Sequence, residues 1–380
     1  MMKVLHIGKY YPPYFGGTEK VTFDLVEGLN NTNFNVDVLC SNHENNGNHF
    51  TEGLYSIYRV KTIGEVASTS ISVGFSSLLK KIQNEYDLIH VHLPNPLANL
   101  AIFLTRPKCK IIIHWHLDII NRPILLKLYS PLQDWLLNRS DKIVATSQNY
   151  IDGSKYLQKH KNKTNYIPLG IDITDLEVDD AVVARIKKRF MNKKIVFGLG
   201  RLINYKGFEY LIEAAKDFDE DIVTIVGGVG KLERELKQRI NNNNLQDKVV
   251  LLGKIPFNEL GAYYRACDLF CLPSITKNEA FGLVQIEAMA FGKPIVSTNI
   301  DGSGVPWVNK NNVTGKVVSP KNSKEIAIAI NSILSNEQTI KRYSQNCIKR
   351  YNELFTKDKM ILEFTKLYLG TLNRESPPIL

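Results

Sequence analysis

No run in these 380 residues approaches the roughly 20 consecutive apolar residues of a membrane-spanning helix. A disulfide framework is missing too. The five cysteines (Cys40, Cys109, Cys267, Cys271 and Cys347) are odd in number, scattered, and mostly in apolar strand-like context, which suits reduced thiols. Cys267 and Cys271 have no second pair to complete a zinc site. The dinucleotide spacing G-x-G-x-x-G is absent after the first strand, which counts against a dehydrogenase. Nor is there a block of basic residues: the net charge of +10 divides evenly, +5 up to Pro168 and +5 beyond it. That excludes a nucleic-acid arm and leaves a basic surface suited to nucleotide phosphates or an acidic membrane face. The opening M-M-K-V-L-H-I-G reads as a strand rather than a signal peptide, so a cytosolic protein, resting at most on a membrane surface, is expected.

What is present is an ordinary globular composition, 44% hydrophobic and 23% charged, at a length that suits two domains. Strands are expected at Lys3–Gly8, Asn35–Cys40, Leu54–Lys61, Tyr86–His92, Lys110–Ile113 and Asp141–Thr146, with helices between them. The polar stretch before Gly53 reads as an exposed loop, and Asp141–Thr146 as the last strand of the first domain. Pro168 and Gly170 break the pattern and mark the hinge. Strands and helices alternate again from Ile195 to Thr298, so each half predicts a parallel α/β sheet.

Several stretches fit the binding of a phosphorylated sugar. Pro273 to Pro294 runs from a strand end through a polar loop into a helix, with Glu279 and Glu287 eight residues apart around Ala280, Phe281, Gly282 and Leu283. A helix N-terminus offers unpaired N–H groups to phosphate, and carboxylates accept from sugar hydroxyls. Arg201 and Lys206 follow the strand that ends at Gly200 and supply fixed positive charge. Gly227 and Gly228 form a second glycine turn, and Gly16 and Gly17 precede the first helix. His90, His92, His114, His116 and Asp118 are placed at strand ends, where α/β sheets hold ligands. Asp217 and Asp219 match the metal-holding D-x-D pattern, but they precede a strand instead of following one and read as a polar turn.

The string E-A-F-G-L-x-x-x-E-A-M-A-x-G-x-P-I-V resembles the E-x7-E signature of retaining glycosyltransferases of the GT-B fold, family 4. G-R-L-x-x-x-K-G-F and P-x-G-I-D match the same family in the same order, so the resemblance covers nearly the whole chain. It implies two Rossmann-like domains with parallel sheets facing across a cleft: residues 1–168 on the acceptor side, 169–356 on the donor side, and a final helix, 357–380, returning to the first domain. It maps Glu279 to the donor sugar, Glu287 to the ribose, and Arg201 and Lys206 to the diphosphate. His116, the histidine before x-D, maps to the donor sugar or phosphate, Gly16 and Gly17 to the phosphate loop, and Lys254 and Ile255 to the turn cradling the base. The implied reaction moves a hexose from a nucleotide-diphosphate sugar to an acceptor hydroxyl with retention, without metal or other cofactor. The subset resembled most includes mannosyl- and rhamnosyltransferases of bacterial surface polysaccharides. GDP-mannose is therefore the donor expected first, and a glycan or polyprenyl-diphosphate-linked glycan the acceptor. A sugar-nucleotide epimerase or hydrolase on the same scaffold, and a non-catalytic nucleotide-sugar-binding protein, are the alternatives.

Overall fold

The computed structural model describes residues 1–14, 16–43, 48–52, 55–66, 69–120, 123–191 and 193–374. Two units emerge: Met1–Gly170 together with the chain from Lys357 onward, and Ile171–Thr356.

Ten strands belong to the first unit: β1 (Met2–Ile7), β2 (Phe34–Ser41), β3 (Asn48–Glu52), β4 (Tyr55–Val60), β5 (Gly64–Val66), β6 (Thr69–Ile71), β7 (Leu88–Leu93), β8 (Lys110–Trp115), β9 (Lys142–Ala145) and β10 (Thr164–Tyr166). The main sheet has the order β10-β9-β8-β7-β1-β2-β4-β3, with β5 and β6 as a separate hairpin. Every pairing in the main sheet is parallel except that of β3 with β4. Two expectations are corrected here. Asn48–Glu52 is an antiparallel edge strand rather than loop, because an edge needs partners on one side only and tolerates polar residues. Thr164–Tyr166 adds a strand beyond the one expected to be last.

β7 is buried along its whole length and β1 at every position but Lys3, as parallel strands covered on both faces must be. One cover is the helix Lys357–Thr371, which packs on the helix Gly17–Asn30. Gly28 permits the approach: a Cβ there would stand 1.9 Å from Ile361 Cδ1. Phe364 and Tyr368 of the same helix are fully buried against the sheet. The described residues thus return this helix to the unit in which the chain began.

The second unit holds β11 (Lys194–Leu199), β12 (Ile222–Gly227), β13 (Val249–Gly253), β14 (Leu269–Leu272), β15 (Ile295–Thr298) and β16 (Gly315–Val318). Their order is β13-β12-β11-β14-β15-β16, all parallel. Phe208, Leu211, Leu236, Ile326, Ile330 and Ile333 bury one face of the flanking helices against the sheet. A long helix runs from Glu337 to Leu354, with Tyr343, Cys347 and Tyr351 as its buried stripe.

Candidate functional site

In the second unit, β11 and β14 lie side by side in parallel register, so both chains leave the sheet at the same edge. After β11, a turn of 3-10 helix, Asn204–Lys206, sets Lys206 beside the loop that follows β14. There Lys206 Nζ lies 2.6 Å from Glu279 Oε2. Both residues are buried, at 8% and 9% exposure. Ser274 Oγ donates to the same carboxylate oxygen at 3.0 Å. The loop itself is clamped from behind. Ser303 Oγ donates to the Glu279 carbonyl, Gly304 N to the Ala280 carbonyl at 2.7 Å, and Thr298 Oγ1 to the Ser274 carbonyl. Such support fixes Glu279 before any ligand arrives.

Next comes the helix Leu283–Ala290, opened by Gly282 with no side chain capping it. Phe281 is buried, and Ala280 and Leu283 are half-buried. Glu287 sits on this helix, where its Oε2 accepts from Tyr264 Oη at 2.6 Å. Burial and the nearby carboxylate push the Tyr264 phenol well above its ordinary value, so it stays a donor.

The glycine turns lie at the ends of the neighbouring strands. Gly200 N donates to Gly227 O at 3.0 Å, and Gly228 N to Gly253 O at 2.7 Å. Gly228 has φ +133°, and a Cβ there would stand 1.9 Å from the Gly200 carbonyl oxygen; only glycine lets these two backbones meet. Ile255 closes the turn against Gly227, while Lys254 points into solvent. Arg201 is exposed and donates to Tyr205 Oη at 3.2 Å. Lys206, Glu279, Glu287 and the glycines Gly200, Gly227, Gly228 and Gly282 therefore cluster at strand ends of one sheet. Gly16, Gly17 and His116 belong to the other unit. Asp217 and Asp219 occupy the turn before β12, where Asn331 Nδ2 donates to the Asp217 carbonyl at 2.9 Å.

In the first unit, Gly16 precedes the helix Gly17–Asn30 with extended backbone. The histidines need correction. His90 and His92 lie within β7 and His114 within β8, not beyond the strand ends; His116 is the first residue past β8. Side chains two apart on a strand share a face. Register sets His6 beside His90 and His92 beside His114. The result is a buried sheet of imidazoles covered by Phe364 and Tyr368. Burial holds all five neutral: His6 and His116 are pushed down to about 3, and His90, His92 and His114 fall well below their ordinary value. Among the described residues, His90, His92 and His114 are the one group whose nitrogens converge, within 4.8 Å, as metal ligands would. Asp118 is structural: its Oδ1 accepts from Trp115 Nε1 and from Ser154 Oγ, both at 2.9 Å, and its N–H donates to Tyr150 Oη.

Residues 182–350 match the family described as glycosyl transferases group 1, and residues 15–175 match glycosyltransferase family 4. The O-antigen chain mannosyltransferase C of Escherichia coli is 32% identical, over 99% of this chain and 100% of that protein. This chain is a family 4 glycosyltransferase. A second relative, the D-rhamnosyltransferase WbpZ of Pseudomonas aeruginosa, is 29% identical, over 93% of this chain and 92% of its own. Among solved structures, the sucrose-phosphate synthase of Thermosynechococcus elongatus superposes with a TM-score of 0.79 at 20% identity, covering 98% of this chain and 100% of that one. Anabaena HepE, crystallised with UDP, gives 0.76 at 21%, covering 97% and 100%. These neighbours fix the GT-B fold. The glycosyltransferase residues that sequence reasoning missed are supporting ones: Ser274, Ser303 and Tyr264 behind the two glutamates, and His6 and Tyr368 beside the other histidines.

Proposed function

We propose that this glycosyltransferase moves a mannosyl residue from GDP-mannose to a glycan carried on a polyprenyl diphosphate, in assembly of an O-antigen or similar surface polysaccharide. The mannosyltransferase and D-rhamnosyltransferase relatives support the sugar class, and the O-antigen enzyme supports the setting. The observation that carries the reading is the buried Lys206–Glu279 pair, set at the strand ends among glycine turns and an uncapped helix start. When a diphosphate arrives, Lys206 exchanges its carboxylate for phosphate oxygens, and Glu279 is released to accept from sugar hydroxyls. Arg201 and Lys206 hold the departing diphosphate, and Glu287 takes the ribose. The bond from the anomeric carbon to the diphosphate oxygen breaks, and the acceptor oxygen bonds to that carbon on the same face. Its proton passes to the leaving phosphate. Retention follows without a protein nucleophile, and positive side chains serve in place of a metal.

A thermal-shift screen tests the donor. With GDP-, UDP-, dTDP- and ADP-sugars in turn, GDP-mannose is expected to raise the Tm most, with or without magnesium. A ligand at 100 times its Kd stabilises by about 2.7 kcal/mol. A larger shift with another base would replace the donor assignment, and a shift that needs magnesium would end the metal-free one.

A lipid-linked acceptor requires contact with the membrane, and one surface of the first unit fits that. Ile124 and Leu128 are 78% and 76% exposed on the helix Pro123–Arg139; Leu125, and Leu100 and Leu104 on the helix Pro96–Thr105, are exposed too. The two helices pack together. Between Leu88 and Gln133 the sole carboxylate is the buried Asp118, while Arg106, Lys108 and Lys127 are exposed. An apolar patch with Arg106, Lys108 and Lys127 on its two helices and the turn after them suits anionic headgroups. The protein is expected to float with phosphatidylglycerol vesicles and not with phosphatidylcholine. Glu at both 124 and 128 should weaken that binding more than tenfold, since each buried aliphatic side chain contributes about 1.5–3 kcal/mol. Flotation indifferent to vesicle charge and to both substitutions would remove the membrane from this proposal.

A further inference from the structure

Four of the five buried imidazoles, with Tyr368, form a single hydrogen-bonded chain; His114 stands outside it, with neither nitrogen partnered among the described residues. His116 Nε2 lies 3.0 Å from His92 Nδ1, and His92 Nε2 lies 3.1 Å from His6 Nδ1. His6 Nε2 lies 2.9 Å from Tyr368 Oη, and that hydroxyl also contacts His90 Nδ1. A neutral imidazole has one N–H and one bare nitrogen, and a hydroxyl has one proton to give. Were the Tyr368 oxygen to accept from His6 and His90 at once, its own buried proton would have no acceptor among these partners; otherwise each bond fixes the next, and two arrangements remain. In one, every donor points inward, from His116 toward His90, and all four histidines carry the proton on Nε2. In the other, every donor points outward, and all four carry it on Nδ1.

The inner end decides between them. His90 Nε2 is buried with no partner among the described residues. The inward arrangement leaves a buried N–H there with nothing to accept it. The outward arrangement leaves only a lone pair, and buried orphan donors are the rarer case. At the outer end, His116 is the most exposed of the five, at 6%. The outward arrangement gives its Nδ1 a proton to donate.

We propose that Tyr368, His6 and His92 are positioning residues that hold His116 in its Nδ1–H form, so that the outer end of the chain donates to an oxygen of a bound ligand. The part played by that ligand rests on the donor-site reading of His116 given above. Phosphate oxygens only accept, so the opposite tautomer would set a lone pair against them. A metal at His90, His92 and His114 would have to break this chain, since both nitrogens of His92 are already engaged.

The test is a two-bond proton–nitrogen correlation spectrum of the full chain labelled with nitrogen-15 histidine at neutral pH. His116 is assigned by its loss in His116→Asn, and the others likewise. The expected result is Nδ1–H at His6, His90, His92 and His116. Nε2–H at His116, or mixed tautomers among the four, overturns the proposal. Tyr368→Phe removes the hydroxyl and should shift His116 toward mixed tautomers. It should lower kcat about tenfold, the effect of one hydrogen bond on the barrier, with KM for the donor little changed. An unchanged His116 signal with unchanged kcat overturns the role of Tyr368. The two readings separate cleanly. Four Nδ1–H rings with full turnover in His116→Asn would defeat the donor-site assignment and leave the chain standing. Mixed tautomers with an inactive His116→Asn would defeat the chain alone.

Discussion

Glu279→Ala is expected to lose turnover and stability together. Turnover should fall on the order of 10²-fold or more, the scale on which transition-state hydrogen-bond partners act. Stability should fall by about 3–5 kcal/mol, because the substitution leaves the Lys206 ammonium buried without its carboxylate. Initial rates and a urea unfolding curve measure the two effects on one preparation. An unchanged urea midpoint would show that solvent or another group takes over the ammonium, and the pair would then not be the anchor of the site.

Because one residue serves both roles, a second variant must separate them. Lys206→Met combined with Glu279→Leu replaces two buried charges by apolar side chains of similar size. Buried ion pairs commonly bear such replacement with little or no loss of stability. The double variant is therefore expected to unfold near the wild-type midpoint and to remain inactive. Recovery of turnover along with stability would mean that the pair is a structural peg, and the leaving-group assignment would fall with it.

Sequence made visible what is local. The E-x7-E string, the strand-to-turn glycines and the alternation of strands and helices each lie within a few tens of residues, and their chemistry is written in residue types. Support that comes from afar was not visible. Tyr264 reaches Glu287 from the preceding helix, and Ser303 holds the Glu279 carbonyl from beyond the next strand. Tyr368 meets His6 across 362 residues. H-V-H and H-W-H announced two pairs of histidines on one strand face each, but only the register of β1, β7 and β8 made those faces one buried layer. Asp118 carried the spacing of a ligand-binding residue and turned out to hold Trp115 and Ser154. β3 and β10 escaped notice because polar edge strands of three to five residues carry no apolar alternation.

Arg201→Ala should behave in the opposite way to Glu279→Ala, with catalysis lost and the fold untouched. Arg201 is exposed, and its hydrogen bond goes to Tyr205 Oη four residues on, within the same surface turn. Removing an exposed side chain of this kind changes stability by no more than about 0.5 kcal/mol. Yet Arg201 stands one residue past Gly200, at the glycine turns where the diphosphate is proposed to bind. As the leaving group gains charge, the loss of that cation should lower kcat on the order of 10²-fold. Arg201→Lys should recover only part of the rate, since an ammonium keeps the charge and loses the planar fork that meets two phosphate oxygens at once. Unfolding midpoints of all three proteins should coincide. Full turnover in Arg201→Ala would move the whole task of charge stabilisation to Lys206 and the helix start at Gly282. A fall in the unfolding midpoint would instead show that Arg201 works by holding its turn in place.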